Sequence, residues 1–252
     1  MILGDVRAVI TGAAGGLGGH FSLRLATAGA AVVAGDIDGQ GLDALRARAK
    51  GLPGVVLTDV IDVSREQAVQ EFVSRASRNL EGINTLVNSA GILQDGLLVS
   101  AEDSGIKKLP LEQWQRVMET NLTGAYLMTR EVAADMLQRK EQNGLVVNIS
   151  SLARSGNSGQ TNYAASKAGL DACTRTWAVE LAPQIRIAAI APGLIETPML
   201  ERLPLGRKAD LIQQIPLGRA GTPEEIWLAL KFIIECEYFT GRVIEVDGGL
   251  VF

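Results

Sequence analysis

Residues 7–18 read RAVITGAAGGLG, and an aspartate, Asp36, closes the next apolar run. The stretch 7–11 has the length and β-branching of a buried strand. The glycines that follow let the backbone turn tightly and approach a ligand closely. Residues 17–28 are then periodic enough for a helix. A helix that opens on a glycine turn offers free N–H groups and a positive dipole end, which suit a diphosphate. Gly12, Gly15, Gly16, Leu17 and Gly18 are therefore candidate cofactor contacts, although the pattern Gly12-x-x-x-Gly16-x-Gly18 has three residues in its first gap and not the one of G-x-G-x-x-G. Asp36 stands where a dinucleotide fold carries its ribose-binding acid. Its carboxylate can accept both adenosine ribose hydroxyls and repels a 2′-phosphate, and neither Gly15 nor Ile37 brings a compensating cation. The expected cofactor is NAD rather than NADP. The competing reading is that Asp36 merely begins a turn.

Outward from this unit, short β-branched runs alternate with longer helical stretches. Strands are expected at 7–11, 31–35, 55–59, 85–88, 145–149, 185–190 and 242–246. Helices are expected at 17–28, 42–50, 65–80, 112–140, 162–181 and 223–235. Alternation with nearly continuous apolar strands argues an α/β fold, a doubly wound parallel sheet of about seven strands with helices on both faces. No linker or repeat interrupts residues 1–252, so one domain is expected. Two stretches break the alternation. Residues 92–112 read as a long polar connection. Residues 193–223 carry Pro198, Pro204 and Pro216 and the apolar Met199, Leu200, Leu203 and Leu205. A long connection of that kind is expected to be a mobile lid over a substrate with an apolar portion, or else a loop packed on its own domain.

The bulk composition narrows the function. A chain of 252 residues buries about three-quarters of its unfolded surface and needs no metal or disulfide staple. The net charge of −4 gives no footprint for nucleic acid. No apolar run reaches the ~18 residues of a membrane span. Cys173 and Cys236 make no metal-ligand spacing and are expected to fill core space in a reducing compartment. A soluble cytoplasmic protein without a metal is expected. Its three last residues, Leu250, Val251 and Phe252, are apolar; they are expected to be buried, partly across a subunit contact.

The chemistry centres on GQTNYAASKAG, residues 159–169. Tyr163 and Lys167 lie four apart and share a helix face. A nearby ammonium favours phenolate and lowers a tyrosine pKa from about 10. Tyr163 is thus a candidate general acid and base. An ordinary amphipathic helix is the alternative for the pair taken alone.

In order along the chain, these motifs resemble the short-chain dehydrogenase/reductase family from end to end. TGAAGGLG resembles its cofactor turn, DVS (62–64) its adenine-pocket segment, and NSAG (88–91) its N-[NCS]-A-G strand end. ETNLTG (119–124), NISS (148–151), YAASK (163–167), APGLIETP (191–198) and GRVIEVDGG (241–249) resemble its remaining signatures. The resemblance implies reversible hydride transfer between a secondary alcohol and a nicotinamide. It implies Asn121, a serine, Tyr163 and Lys167 as the catalytic set, with Asn121 holding a water beside Lys167. It implies cofactor contacts from Asp62, Val63, Asn88, Ser89, Ala90, Tyr163, Lys167, Pro192, Gly193, Ile195 and Thr197, and a homotetramer. Alignment along the strand from Gly144 selects Ser151 as the serine, whereas counting back from Tyr163 selects Ser150. The strand is favoured because it holds register better than a loop. Residues 158–170 resemble 3-oxoacyl-carrier-protein reductases, and the C-terminal part resembles NAD-dependent type II 3-hydroxyacyl-CoA dehydrogenases. A 3-hydroxyacyl or 3-oxoacyl thioester is the implied substrate. Another secondary alcohol (steroid, polyol, sugar or secondary metabolite) and a non-catalytic NAD sensor are the rivals.

Overall fold

A computed structural model describes residues 1–103, 105–201 and 205–251. The β-branched run at the start forms β1 (Arg7–Thr11), followed by α1 (Gly16–Thr27), β2 (Ala31–Asp36), α2 (Gly39–Arg48), β3 (Val55–Val60), α3 (Glu66–Asn79) and β4 (Thr85–Asn88). A hairpin, β5 (Val99–Glu102) and β6 (Gly105–Lys108), leads to α4 (Leu111–Met118), a π-helical turn (Glu119–Thr123) and α5 (Gly124–Gln138). The chain continues through β7 (Gly144–Ile149), a 3₁₀ turn (Leu152–Ser155), α6 (Thr161–Glu180), β8 (Ile185–Pro192), α7 (Pro198–Glu201), α8 (Leu205–Gln213), α9 (Pro223–Glu235) and β9 (Val243–Val246).

The large sheet has the order β3-β2-β1-β4-β7-β8-β9, with every pair parallel. Because β1 lies between β2 and β4, the strand order reverses there, and such a switch point opens a crevice above the strands' carboxyl ends. Successive strand residues face opposite layers. Ile10, Val87 and Val147 pack with Phe21 and Leu25 of α1 and Trp227, Leu230 and Ile233 of α9. Val9, Leu86 and Val146 pack with Phe72 of α3 and Met128, Val132 and Met136 of α5. Burying a side chain of this size stabilises by roughly 1.5–3 kcal/mol. Local signals start the helices. Asp38 accepts from the N–H groups of Gln40 and Gly41 at the head of α2, and Thr222 and Glu225 form a reciprocal capping box on α9, with Pro223 behind the cap.

A row of buried amides crosses between strands. Asn88 Nδ2 donates to Asn148 Oδ1 at 2.9 Å and to Thr129 Oγ1 at 3.0 Å; Asn148 Nδ2 donates to Thr174 Oγ1 at 2.8 Å. This row ties β4 and β7 to α5 and α6.

Several expectations are corrected. Residues 92–112 are not a plain connection but contain the β5–β6 hairpin, antiparallel with Val99 opposite Lys108. Its apolar Leu97, Leu98, Val99 and Ile106 are exposed, so no buried face gave the alternation that marks a strand. The expected helix 112–140 is interrupted by the π-helical turn. In the region 193–223, Leu200 is buried and Ile195 pairs with Gly221, so both ends of the stretch are tied down. Leu203 and Phe252 fall outside the described residues, as do the side chains of Met199 and Leu205. At the C-terminus, Leu250 packs with Leu152 and Ile215 of its own chain, while Val251 is 84% exposed in the single chain. Cys173 and Cys236 are free and half-buried, not core residues. Among the described residues, no helix is long and apolar enough to cross a membrane.

Candidate active site

The carboxyl ends of β1, β4 and β7 carry the chemistry-bearing groups. The lysine comes first, since it fixes the rest. Lys167, on α6, is buried, and its Nζ donates to the Ile149 carbonyl at the end of β7 at 2.7 Å. The same nitrogen lies 5.6 Å from the centre of the Tyr163 ring, one helical turn back. The Asn162 carboxamide accepts from the Tyr163 N–H at 2.8 Å and orients the helix start. Ser151 lies two residues past the end of the strand; its hydroxyl accepts from the Ala153 N–H at 3.2 Å and acts on the Tyr163 phenol, favouring its ionised form. Ser150 is directed elsewhere: its buried hydroxyl bears on Asp171. Of the two serines, Ser151 is the one that acts on the phenol.

Asn121 is buried in the π-helical turn, a widening that recurs at functional sites. Its Oδ1 accepts from the Ile92 N–H at 2.8 Å, and its Nδ2 donates to the Ile92 carbonyl at 3.0 Å and to Ser166 Oγ at 3.3 Å. Gly91 separates it from the lysine: a Cβ there would lie 3.5 Å from Asn121 Oδ1 and 3.6 Å from Lys167 Nζ. Asn121, Ser151, Tyr163 and Lys167 therefore converge on one place.

The electrostatics differ from the simple expectation. Burial pushes the Tyr163 phenol up; the Ser151 hydroxyl opposes this, and the Asp95 carboxylate adds to it. Lys167 Nζ, committed to the Ile149 carbonyl, does not set the direction of the phenol's shift, which burial dominates. Burial also lowers the Lys167 amine to about 8, against the pull of Asp171. Asp95 was not foreseen. Gln160 Nε2 donates to it at 3.1 Å, and the neighbouring Gly96 N–H meets the Gly159 carbonyl at 2.8 Å. These bonds bring residues 95–96 beside the tyrosine from more than sixty positions away, a juxtaposition with no sequence signal.

The glycine turn adjoins this place through β4. Gly12, at φ +68°, faces Ala90 so closely that a Cβ would come within 2.7 Å of its backbone, and Gly18 packs against the Gly12 carbonyl. These two glycines serve internal packing. Gly15 and Gly16 face open space, and no side chain caps the start of α1. Thr11 Oγ1 accepts from the Ser89 and Ala90 N–H groups at 3.2 Å each and fixes the end of β4 against the turn. Asp36 Oδ2 accepts from the Ala14 N–H at 2.9 Å and Oδ1 from the Asp38 N–H at 3.0 Å, which leaves further lone pairs on each oxygen. Bare glycines, an uncapped helix start and a fixed carboxylate fit a dinucleotide diphosphate and its adenosine ribose.

Other predicted contacts have internal partners. The Asn88 side chain belongs to the buried amide row and points away from the turn. Asp62 Oδ1 accepts from Ser64 N and Oγ, and Val63 packs on Gly124. Pro192 ends β8, and Gly193 closes on Asp247, where a Cβ would come within 2.7 Å. Ile195 joins the core, while Thr197 Oγ1 donates to the Ile195 carbonyl at 3.3 Å. A separate cavity of about 570 Å³ lies at the opposite, amino edge of the sheet, by Gln184, Arg186 and Tyr238. Arg186 there is spent on the carbonyls of Ile233, Cys236 and Phe239, so chemistry and not volume assigns the site.

Comparison with known proteins decides the family. A family model described as enoyl-(acyl carrier protein) reductase matches residues 12–251. The chain belongs to the short-chain dehydrogenase/reductase family. It is 45% identical over 247 residues to a 3-oxoacyl-[acyl-carrier-protein] reductase of Thermotoga maritima, covering 96% of each chain. It is 37% identical over 252 residues to the short-chain reductase protein NovJ of Streptomyces niveus, covering 96% of this chain and 92% of that one. A crystal structure of a short-chain type dehydrogenase/reductase from Mycobacterium marinum superimposes with a TM-score of 0.88 at 32% identity, covering 98% and 97% of the two chains. Membership of the family makes this chain an oxidoreductase of CH–OH groups that works with a nicotinamide cofactor.

Proposed function

We propose that the protein is an NAD-dependent oxidoreductase that interconverts 3-oxoacyl and 3-hydroxyacyl thioesters. The observation that carries this reading is the convergence of Ser151, Tyr163 and Lys167 beside an open glycine turn. A bound nicotinamide supplies or accepts the hydride. The chain's own groups handle the oxygen and the proton. Ser151 Oγ donates to the substrate oxygen and aligns it with the phenol. In reduction, Tyr163 Oη gives its proton to that oxygen; in oxidation it takes the proton back. Because burial keeps the phenol neutral at physiological pH, the chain is poised as an acid, which suits reduction of the ketone. Lys167 holds a positive charge beneath the ring, stabilises the phenolate left behind, and can bond the cofactor's ribose. Asn121 fixes residue 92 and with it the wall next to Lys167.

The substrate class is inferred from the Thermotoga maritima relative and the acyl-carrier name of the family model. Asp36 favours NAD, since a fixed carboxylate accepts ribose hydroxyls and repels a 2′-phosphate. An apolar acyl portion would lie along residues 193–223, where Leu194 packs beside Leu152 and Ile215. Exposed Tyr126, Leu137 and Val179 on α5 and α6 offer surface for the homotetramer implied by the family resemblance. The test is turnover of acetoacetyl and longer 3-oxoacyl thioesters with NADH and NADPH, beside steroid, sugar and polyol ketones. Preference for a 3-oxoacyl thioester with NADH supports the reading. The similarity to NovJ favours a second one, a secondary-metabolite carbinol, and activity confined to non-thioester ketones would replace the first with it.

A further inference from the structure

Next to the converging side chains lies a charged cluster that the proposed chemistry does not use. Asp171 stands one turn beyond Lys167 on α6 and is 5% exposed. Its Oδ2 is 2.7 Å from Arg154 Nε. Arg154 comes three residues after Ser151, in the 3₁₀ turn, and its guanidinium has two further partners. It donates to the Ser151 carbonyl at 3.3 Å and to Glu245 Oε1 on β9 at 2.5 Å. One rigid fork thus joins the end of β7, the lysine-bearing helix and the last strand, a task that suits arginine's planar donors. The other Asp171 oxygen is enclosed, and the Ser150 hydroxyl turns toward it without reaching full hydrogen-bond geometry.

A buried carboxylate needs a reason to remain, because desolvation opposes it. Spacing supplies one: residues i and i+4 lie about 5–6 Å apart on one helix face. We propose that Asp171, held by Arg154, is a positioning residue for Lys167, the counter-charge of its buried ammonium, and that the Arg154 bridge keeps the serine-bearing strand end and the lysine-bearing helix in one register. Only its catalytic consequence rests on the reaction proposed above; the pairing itself is a property of the chain. The groups around the lysine agree with it. Tyr163 shares its helix, Ile149 faces it from β7, Asn121 from the π-helical turn, and Asp171 is the anion that acts on it. Arg154, Arg175 and Lys167 act on Asp171, while Asp95 acts on Tyr163.

The test is a titration of cofactor-free protein labelled with ¹³C at lysine Cε, followed by NMR, with Lys167 assigned from the signal missing in Lys167→Met. The wild-type signal should titrate near 8, where burial and Asp171 balance. Asp171→Asn should move that midpoint down by about one pH unit, whereas Asp171→Glu, which keeps the charge, should hold it near the wild-type value. Should Asp171→Asn not fold, Asp171→Ser removes the same charge with less volume. The alkaline limb of the rate profile for ketone reduction should shift in the same direction. A midpoint that stays in place in the folded charge-free variant, or moves as far in Asp171→Glu, overturns the inference. Retained turnover in Tyr163→Phe would instead sink the proposed reaction and leave the titration result standing.

Discussion

Asp36→Asn changes the cofactor choice by an amount that follows from the geometry. Both aspartate oxygens accept backbone N–H groups, from Ala14 at 2.9 Å and Asp38 at 3.0 Å. Asparagine keeps the volume but turns one oxygen into a donor that faces one of those N–H groups, so one bond is lost. That costs about 1–2 kcal/mol, or a drop in Tm of roughly 2–8 °C. The loss of charge acts on the ligand. A pair of unit charges about 4 Å apart interacts by about 1 kcal/mol in water and about 4 kcal/mol at an effective dielectric constant of 20. The carboxylate is half-buried, so its repulsion of a 2′-phosphate lies between these limits, at about 1.5–3 kcal/mol. Removing it should therefore improve kcat/KM for NADPH about tenfold to hundredfold relative to NADH. The assay is initial-rate reduction of one 3-oxoacyl thioester with each cofactor, wild type beside variant, with a melting curve for each. A folded variant whose NADPH-to-NADH ratio stays within about twofold of wild type would refute the assignment of Asp36 to the ribose.

Phe72 is fully buried between α3 and the sheet, so Phe72→Ala should cost about 3–5 kcal/mol, read from denaturant midpoints. Asn148→Ala removes the middle of the buried amide row and strands its partners on Asn88 and Thr174; about 2–3 kcal/mol is expected in the same assay. Lys167 has a folded-state pKa near 8, below its ordinary 10.5. Between those values the unfolded chain binds more protons, so this residue's contribution to stability rises with pH and is most unfavourable below about 8. Stability of wild type minus that of Lys167→Met should therefore increase from pH 7.5 to pH 10, and a flat difference in urea titrations would contradict it.

Much of the scaffold was legible because buried parallel strands leave a strong mark. Thr85–Asn88 and Arg7–Thr11 are short, apolar and bounded by turns, and nothing else fits that pattern. The register of β7 favours Ser151 over Ser150, because a strand propagates register to its end. The hairpin at Val99–Lys108 was not legible, since its apolar residues face outward and mimic a loop. The interruption at Asn121 left no trace either: a π-helical turn adds one residue to a helix without altering composition. Asn88 matched a signature, yet its side chain serves the interior, because a motif names a position and not the direction of a side chain. The phenol's direction of shift was misjudged for a related reason. The i, i+4 spacing brings an ammonium close, but it says nothing of how deeply both groups are buried. Asp171 had a readable signal, the same spacing from Lys167, which gains meaning only once Arg154 is found across from it.

The account as a whole depends on the phenol of Tyr163 moving a proton while other groups bind the cofactor. Stopped-flow reduction of a 3-oxoacyl thioester by Tyr163→Phe, with NADH binding titrated on the same sample, addresses this directly. The prediction is binding within about threefold of wild type and a rate lower by about a hundredfold or more. A variant that binds NADH and reduces the ketone at the wild-type rate would contradict it.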